Sequence, residues 1–153
     1  MNKRIALVVG TVGLVVFLAA GVALAMVKTG TNVPDNITGT NKADNIAASA
    51  NRDLVNGKGG PDRIFGDGGN DTLNGGGGSD HIESGDGNNV ARGYDGDGDW
   101  VSVVDNDTDD FVSGGNGTDD VCVVDLVNGV RDEFSDTCEK VYQTASIPQQ
   151  EGE

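Results

Sequence analysis

Residues 57–92 decide the fold, because they consist of four consecutive nine-residue units. The units read GKGGPDRIF (57–65), GDGGNDTLN (66–74), GGGGSDHIE (75–83) and SGDGNNVAR (84–92). They follow the pattern G-G-x-G-x-D-x-U-x, in which U is a large aliphatic residue. The same register continues backward through units 48–56, 39–47 and 30–38, and forward, with small insertions, through 94–102, 105–113 and 114–122.

Two positions of the unit keep one kind of residue along the whole repeat region. Position six is aspartate in nine of the ten units: Asp35, Asp44, Asp53, Asp62, Asp71, Asp80, Asn89, Asp99, Asp110 and Asp119. Position eight is aliphatic in all ten: Ile37, Ile46, Val55, Ile64, Leu73, Ile82, Ala91, Val101, Val112 and Val121. The spacing predicts one functional carboxylate and one core side chain per unit.

Each unit predicts a glycine-rich turn followed by a very short strand. Glycine lets the backbone take positive φ angles and turn its carbonyl oxygens inward. In the strand x-U-x the middle side chain points inward, so positions seven and nine face solvent. We therefore expect Thr72, His81 and Trp100 on the outer surface.

The repeats resemble the haemolysin-type, or repeats-in-toxin (RTX), calcium-binding family from Gly30 to about Cys122. The resemblance implies an all-β fold, a parallel β-roll (β-solenoid) in which two units make one coil and calcium lies between turns stacked on the same side. The implied pairs are Asp62 with Asp80, Asp80 with Asp99, and Asp71 with Asn89. The last pair should be weakest, because an amide lacks the negative charge. The tail motif DTCE (136–139) also resembles the ends of small secreted members.

Calcium binds six to eight hard oxygen ligands, which turn carbonyls and aspartate carboxylates supply. The predicted ligands of several Ca²⁺ ions are Gly57, Gly59, Asp62, Gly66, Gly68, Asp71, Gly75, Gly77, Asp80, Asn89, Asp99, Asp110 and Asp119. Two like charges about 4 Å apart cost about 4 kcal/mol at an effective dielectric near 20. We expect the roll to be loose or unfolded without a divalent cation.

The composition agrees with an ion-dependent fold. The chain has 153 residues, 25 of them acidic, 10 Lys or Arg and 25 Gly, with a net charge of −15. Such a chain should stay disordered unless its acids are neutralised, and it should repel nucleic acid. We expect no enzyme and no small-molecule substrate, because no room remains for a catalytic domain and the single histidine, His81, lacks catalytic partners.

Two regions fit the repeat less well. The units in 30–56 lack glycine at positions two and four, where Thr31, Val33, Lys42 and Asn51 stand, so they favour structural coils over ion sites. The acidic runs 95–99 and 105–109 fail as EF-hands, because Trp100 and Asn106 occupy positions that require Gly and Glu. They are irregular repeats, with an extra cation site and solvated surface as the open alternatives.

The two ends of the chain predict export and a cap. In residues 1–27, Lys3 and Arg4 precede an apolar run over 5–27, which predicts an export helix that is either cleaved after Ala25 or kept as a membrane anchor. Residues 28–122 form the roll, 123–142 the C-terminal cap and 143–153 a flexible tail. Cys122 and Cys138 are predicted to form a disulfide, and Val123, Val124, Val127 and Phe134 are predicted to form the cap.

Together these features predict a secreted, extracellular calcium-binding protein that folds on binding calcium. If the apolar run is retained, the roll is anchored to the outer face of the cytoplasmic membrane. The alternative function is a cell-surface adhesin or cell-wall-associated module that uses the roll as a rigid spacer.

Overall fold

The chain folds into short strands in this computed structural model, which describes residues 13–15, 26–106, 109–127 and 130–145. No helix occurs among these residues. In chain order the strands are β1 (Gly13–Val15), β2 (Val27–Thr29), β3 (Asn36–Thr38), β4 (Asn45–Ala47), β5 (Leu54–Gly59), β6 (Arg63–Phe65), β7 (Thr72–Gly77), β8 (His81–Glu83), β9 (Val90–Asp95), β10 (Trp100–Ser102), β11 (Phe111–Asn116), β12 (Val121–Val127), β13 (Val130–Arg131), β14 (Glu133–Phe134) and β15 (Lys140–Ala145).

The strands form two sheets, and successive repeat strands alternate between them. One sheet has the order β1-β2-β4-β6-β8-β10-β12-β13, with β15 also paired to β12, and the other has the order β14-β11-β9-β7-β5-β3. Each strand therefore pairs in parallel with the strand two units away, as Ile64 of β6 does with Ile82 of β8. The result is a parallel β-solenoid of about six coils, which confirms the predicted roll.

One aliphatic side chain per unit fills the narrow core between the sheets. Nine of the predicted position-eight residues, from Ile37 to Val112, are at most 1% exposed. The core also contains Ala48, Val103 and Val124, which the sequence analysis did not assign to the roll's core. Ala48 and Val103 lie two residues after the position-eight residues Ile46 and Val101, and Val124 lies two residues after the buried Cys122, so each points to the same side of the chain as that residue.

The last unit is shifted by one residue from the predicted register. Val121 was expected in the core, but the core residue is Cys122, whose strand pairs with β10 in parallel. Asp120 is fully buried, whereas Asp119 is exposed. The turn over 114–120 has one residue more than the six-residue turns of the regular units, and one extra residue exchanges the inner and outer faces.

The side chains predicted to face outward lie on the outer faces of the sheets. His81 stacks on Trp100, with ring centroids 4.3 Å apart and planes at 7°. Parallel pairing aligns the two residues side by side. Because neighbours cover them, Thr72, His81 and Trp100 are half-buried rather than fully exposed.

The N-terminal segment departs from the predicted helix at its described residues. Gly13–Val15 form a strand antiparallel to β2. Because β2 would otherwise end its sheet, this pairing satisfies backbone groups of an open edge. The other residues of the expected export helix before Met26, and 146–153 of the expected tail, lie outside the described residues. Within the described ranges, no helix is long and apolar enough to cross a membrane.

A disulfide between Cys122 and Cys138 ties the C-terminal cap to the roll, as predicted, with the Cα atoms 5.7 Å apart. Phe134 and Val141 pack against the hydrophobic core. Strand β15 pairs with β12 as far as residue 145. The ordered cap thus extends three residues beyond the predicted boundary at 142, because the polar end of β15 still finds backbone partners.

Candidate calcium sites

The position-six side chains form two columns, one along each side of the roll. We define the first column as Asp44, Asp62, Asp80, Asp99 and Asp120, and the second column as Asp35, Asp53, Asp71, Asn89 and Asp110. All except Asp35 are at most 3% exposed. Alternation of the units between the two sheets produces the columns, so members of one column come from units two apart.

In every column residue except Asp35, one side-chain oxygen accepts a backbone N–H of the preceding coil. The N–H of Asp62 donates to Oδ1 of Asp80 at 2.8 Å, and the N–H of Asp80 donates to Oδ1 of Asp99 at 2.8 Å. In the second column the N–H of Asp71 donates to Oδ1 of Asn89 at 2.9 Å. The structure thus stacks the residue pairs that the sequence proposed.

The second oxygen of most column residues has no hydrogen-bond partner among the described residues. This holds for Oδ2 of Asp53, Asp62, Asp71, Asp80, Asp99 and Asp120. Burying an ionised carboxylate without a compensating group is costly. Burial, opposed by the backbone hydrogen bond and reinforced by neighbouring acids, raises the pKa of Asp62, Asp71 and Asp99 to about 6 and that of Asp80 to about 7.

The first turn on each side of the roll satisfies its own aspartate. The backbone N–H and Oγ1 of Thr40 donate to Oδ2 of Asp44 at 2.6 and 3.0 Å. Thr31 makes the same two bonds to Oδ2 of Asp35 at 2.6 and 2.8 Å. Both threonines stand at position two, where the repeat pattern has glycine. These two turns therefore hold their carboxylates without needing a cation.

The turn over 48–53 behaves differently, although the sequence analysis grouped it with those two turns. Ser49 and Asn51 adopt φ angles of 83° and 78°. Lys58 and Gly60, at the same positions one unit later, adopt 84° and 87°. Oδ2 of Asp53 is among the unpartnered oxygens. Asparagine tolerates this backbone conformation better than most residues, so Asn51 was the sequence signal that this turn resembles its glycine-rich neighbours.

Glycine at position one lets oxygens of two coils approach each other. A Cβ atom on Gly57 would overlap both Oδ2 of Asp62 and the carbonyl oxygen of Gly75 in the next coil. The predicted ligands Gly66 and Gly75 stand at equivalent places. The position-three glycines have another role, because Gly59 and Gly77 continue the pairing of β5 with β7, and Gly68 forms a bridge to Ala50.

Asn89 shows which kind of group the turn interior accepts. Its Nδ2 donates to the carbonyl oxygens of Gly85 and Gly87 at 2.8 and 2.5 Å, while its Oδ1 accepts the N–H of Asp71. In the aspartate turns of the same repeat, an oxygen replaces this donor and leaves the turn without a positive partner. The amide of Asn89 therefore satisfies two turn carbonyls and leaves no buried carboxylate oxygen in this turn.

The donor chemistry of the turns fits calcium. Within the described ranges, no three His, Cys, Asp or Glu side chains gather as in a conventional metal centre. Any site must therefore combine backbone carbonyls with one carboxylate from each contributing turn, which is a set that calcium accepts and softer metals do not favour. Asp53, Asp62, Asp71, Asp80, Asp99 and Asp120 would supply the carboxylates of such sites.

The structure separates the predicted site residues in the last units. Asp119 lies on the surface and pairs with Lys140 at 3.2 Å, while Asp120 occupies the first column. The backbone N–H of Asp120 donates to Oε2 of Glu139 at 2.8 Å, so Glu139 ends that column. The Asp119-Asp120 doublet was the signal of an alternative register, but the sequence alone does not say where the extra turn residue lies.

The remaining acidic runs face mainly outward. Asp97 is exposed and accepts hydrogen bonds from the backbone and the hydroxyl of Thr118 at 3.0 and 3.1 Å. Asp95 accepts one from Nδ2 of Asn116 at 3.0 Å. Of the run 95–99, only Asp99 enters a column. Asp107, from the second run, lies outside the described residues.

Stacked turns that each bury one half-satisfied carboxylate, on a parallel β-solenoid, define a calcium-binding repeat protein. The family model of the RTX calcium-binding nonapeptide repeat matches residues 29–64, 48–82, 56–91, 74–97 and 102–122. The chain belongs to this family, which confirms the resemblance. Comparisons with curated proteins and with solved structures gave no match. The family's repeats bind calcium in general, and they form a structural fold rather than an enzyme family.

The shifted register makes a first prediction, because D119N and D120N change the same charge one residue apart. D120N should lower the number of bound calcium ions by one, since it removes a buried carboxylate from the first column. D119N should leave both the number and the affinity within twofold of the unchanged protein, because exposed ion pairs contribute little. Isothermal titration with calcium measures both quantities. Equal losses in the two variants would show that the register is wrong.

The raised pKa values predict an unusual pH dependence. Asp62, Asp71, Asp80 and Asp99 titrate at about 6 to 7 in the folded chain, against a usual value of 3.8. Between about pH 4 and 7 the calcium-free fold therefore binds more protons than the unfolded chain, so its stability is largest at low pH and falls as pH rises. Calcium competes with these protons, so its apparent affinity should fall below about pH 7. Circular dichroism in EDTA and calcium titrations, each at pH 5 and 8, check both trends, and a calcium-free folded fraction that rises with pH over this range contradicts them.

Proposed function

We propose that this protein is an exported calcium-binding β-roll whose repeat region folds when it binds calcium outside the cytoplasm. The observation that carries the proposal is the series of buried Oδ2 atoms without partners in both columns. They recur in six turns that share one backbone design. A single unpartnered oxygen could be an isolated packing defect. Six of them at the same position of stacked turns indicate a common role in binding.

The balance of forces supports folding that depends on the ion. Each unit buries one aliphatic side chain, which contributes about 1.5 to 3 kcal/mol. Against this stand the ordering of many glycines and a net charge of −15. Bound calcium would supply the positive charge that the columns lack. The chain's own residues then keep the coils in register, because each Oδ1 still accepts the N–H of the preceding coil.

Two features support export. The N-terminal residues combine Lys3, Arg4 and a long apolar run. The Cys122–Cys138 disulfide needs an oxidising compartment to persist. Calcium is scarce in cytoplasm and abundant outside, where modules that bind it with affinities of about 10⁻⁴ to 10⁻³ M become saturated. The repeat region would thus stay unfolded before export and wind into the roll afterwards.

Asp80 and Asn89 provide reciprocal variants that test the proposal. D80N removes a buried charge, and N89D introduces one where the amide now satisfies two carbonyls. In EDTA the stability should follow the order D80N, unchanged protein, N89D, from highest to lowest. With saturating calcium, D80N should bind fewer ions than the unchanged protein, and N89D more.

Circular dichroism with and without calcium, together with ion counting, gives the readout. D86N is the matched control, since Asp86 is exposed and its backbone pairs like that of its neighbours. A dichroism spectrum of the unchanged protein that stays the same on chelation would refute folding on calcium binding.

The mature N-terminus distinguishes the two forms of export. Mass spectrometry of the natively exported protein should find a start at Met26 if the protein is freely secreted. Retention of residues 5–27 would instead show an anchored form. A full-length chain that remains in the cytoplasmic fraction contradicts both.

A further inference from the structure

The cap contains a second arrangement of carboxylates that the repeats do not have. Strands β12 and β13 form a hairpin in which Leu126 pairs with Arg131 and Val127 with Val130. Asp125 and Asp132 flank the base of this hairpin, and both are 1% exposed. The family match ends at residue 122, before this hairpin begins.

The two carboxyl groups are in direct contact. The backbone N–H of Asp125 donates to Oδ2 of Asp132 at 3.1 Å, and the side chains lie within hydrogen-bonding reach of each other. Oδ2 of Asp125 accepts from the backbone N–H groups of Asp105, at 3.2 Å, and Asn106. Oδ1 of Asp125 and Oδ1 of Asp132 have no hydrogen-bond partner in the described part of the chain. Each of the two adjacent carboxyl groups therefore keeps one buried oxygen without a hydrogen-bond partner.

In the described part of the chain, no Lys or Arg side chain forms an ion pair with Asp125 or Asp132. The guanidinium of the adjacent Arg131 lies over the ring of Phe134, 4.6 Å from its centroid, and the side chain is exposed. The ion pairs recorded among the described residues are His81–Glu83 and Lys140–Asp119, both at the surface. Burial, followed by contact with Asp125, raises the pKa of Asp132 to about 7. Two buried carboxylates in contact repel each other, so a proton or a cation between them would stabilise the pair.

We propose that Asp125 and Asp132 form a separate divalent-cation site of the calcium class in the cap. Asp132 lies where the second column would continue, since Phe111 pairs with Glu133, one residue after Asp110 and Asp132 respectively, and the backbone of Asp110 hydrogen-bonds to Asp132. Asp125 has no counterpart in the repeat. The cap site would thus have two carboxylates, whereas each glycine-rich turn contributes one. Because its ligands are hard oxygens, the site would favour calcium over softer metals.

The site would fasten the end of the roll. Asp125 accepts hydrogen bonds from the backbone of residues 105 and 106 in the preceding turn, and Asp132 immediately precedes β14, the end strand of the other sheet. An ion held by both carboxylates links the hairpin to both sheets. The disulfide joins Cys122, before the paired residues of the hairpin, to Cys138, after them. The cap would thus be held by one covalent link and one ionic link.

The test uses D125N and D132N separately in the full, oxidised chain, with D136N as the control. Asp136 is an exposed cap acid whose side chain meets Ser135 at 3.4 Å. In saturating calcium, D125N and D132N should each bind one ion fewer than D136N and the unchanged protein. Hydrogen exchange should become faster in β13, while β5 and β7 keep their protection, which shows that the roll is folded.

An unchanged ion count in both D125N and D132N overturns the proposal, and a raised stability in those variants would identify a shared proton instead. If one variant fails to fold, as exchange in β5 and β7 would reveal, the count in the other variant decides. D80N in the same measurement separates this claim from the proposed function. Loss of an ion in D80N alone refutes only the cap site, and loss in D125N and D132N alone refutes only the turn sites.

Discussion

The fold depends on what happens to the two oxygens of a buried aspartate. One oxygen accepts a backbone N–H from the coil before it, as Asp80 does from Asp62, and this bond sets the spacing of the turns. The other oxygen is left inside a turn where Asp62 and the carbonyl of Gly75 approach the same point. The first bond needs the carboxylate to be buried, and burial makes the second oxygen costly. The same side chain therefore stabilises the stacking of the coils through one oxygen and destabilises the roll through the other.

The structure contains three solutions to that conflict. Thr31 and Thr40 satisfy the second oxygen with a hydroxyl and a backbone N–H. Asn89 replaces the oxygen by an amide nitrogen that donates to two carbonyls. The remaining described turns with unpartnered oxygens leave room for a cation. Protein groups alone satisfy the two N-terminal turns, and a disulfide ties the C-terminal cap to the roll, so the unpartnered column oxygens lie in the turns between Asp53 and Asp120.

The repeat pattern predicted the fold because its two fixed positions correspond directly to the two requirements of the roll, a filled core and stacked carboxylates. An aliphatic residue every nine positions fixed the core from Ile37 to Val112, and the aspartate two residues earlier fixed the columns. The predicted register was wrong in the last unit, where the length of the turn rather than the type of residue decides which side chains face inward. One extra residue in the turn over 114–120 moved Asp120 and Cys122 into the places expected for Asp119 and Val121. Composition gave no means of locating that residue, because the turn offers two adjacent aspartates.

Other features depended on tertiary contacts that no local pattern encodes. The difference between the turns ending at Asp44 and Asp53 comes from whether a side chain reaches Oδ2, and both turns lack glycine at positions two and four. The carboxylate pair of Asp125 and Asp132 arises because a hairpin brings together residues seven positions apart in a segment without the repeat. The disulfide was predictable, since Cys122 and Cys138 are the only two cysteines of the chain.

Amide hydrogen exchange at the backbone N–H groups of Asp62, Asp71 and Asp80 tests the central claim most directly, because these groups donate to the carboxylates of the next coil. With saturating calcium at neutral pH they should be strongly protected. After thorough chelation with EDTA they should exchange at nearly the rate of an unfolded chain. Equal protection in both conditions would contradict the account, since the columns would then be stable without any cation.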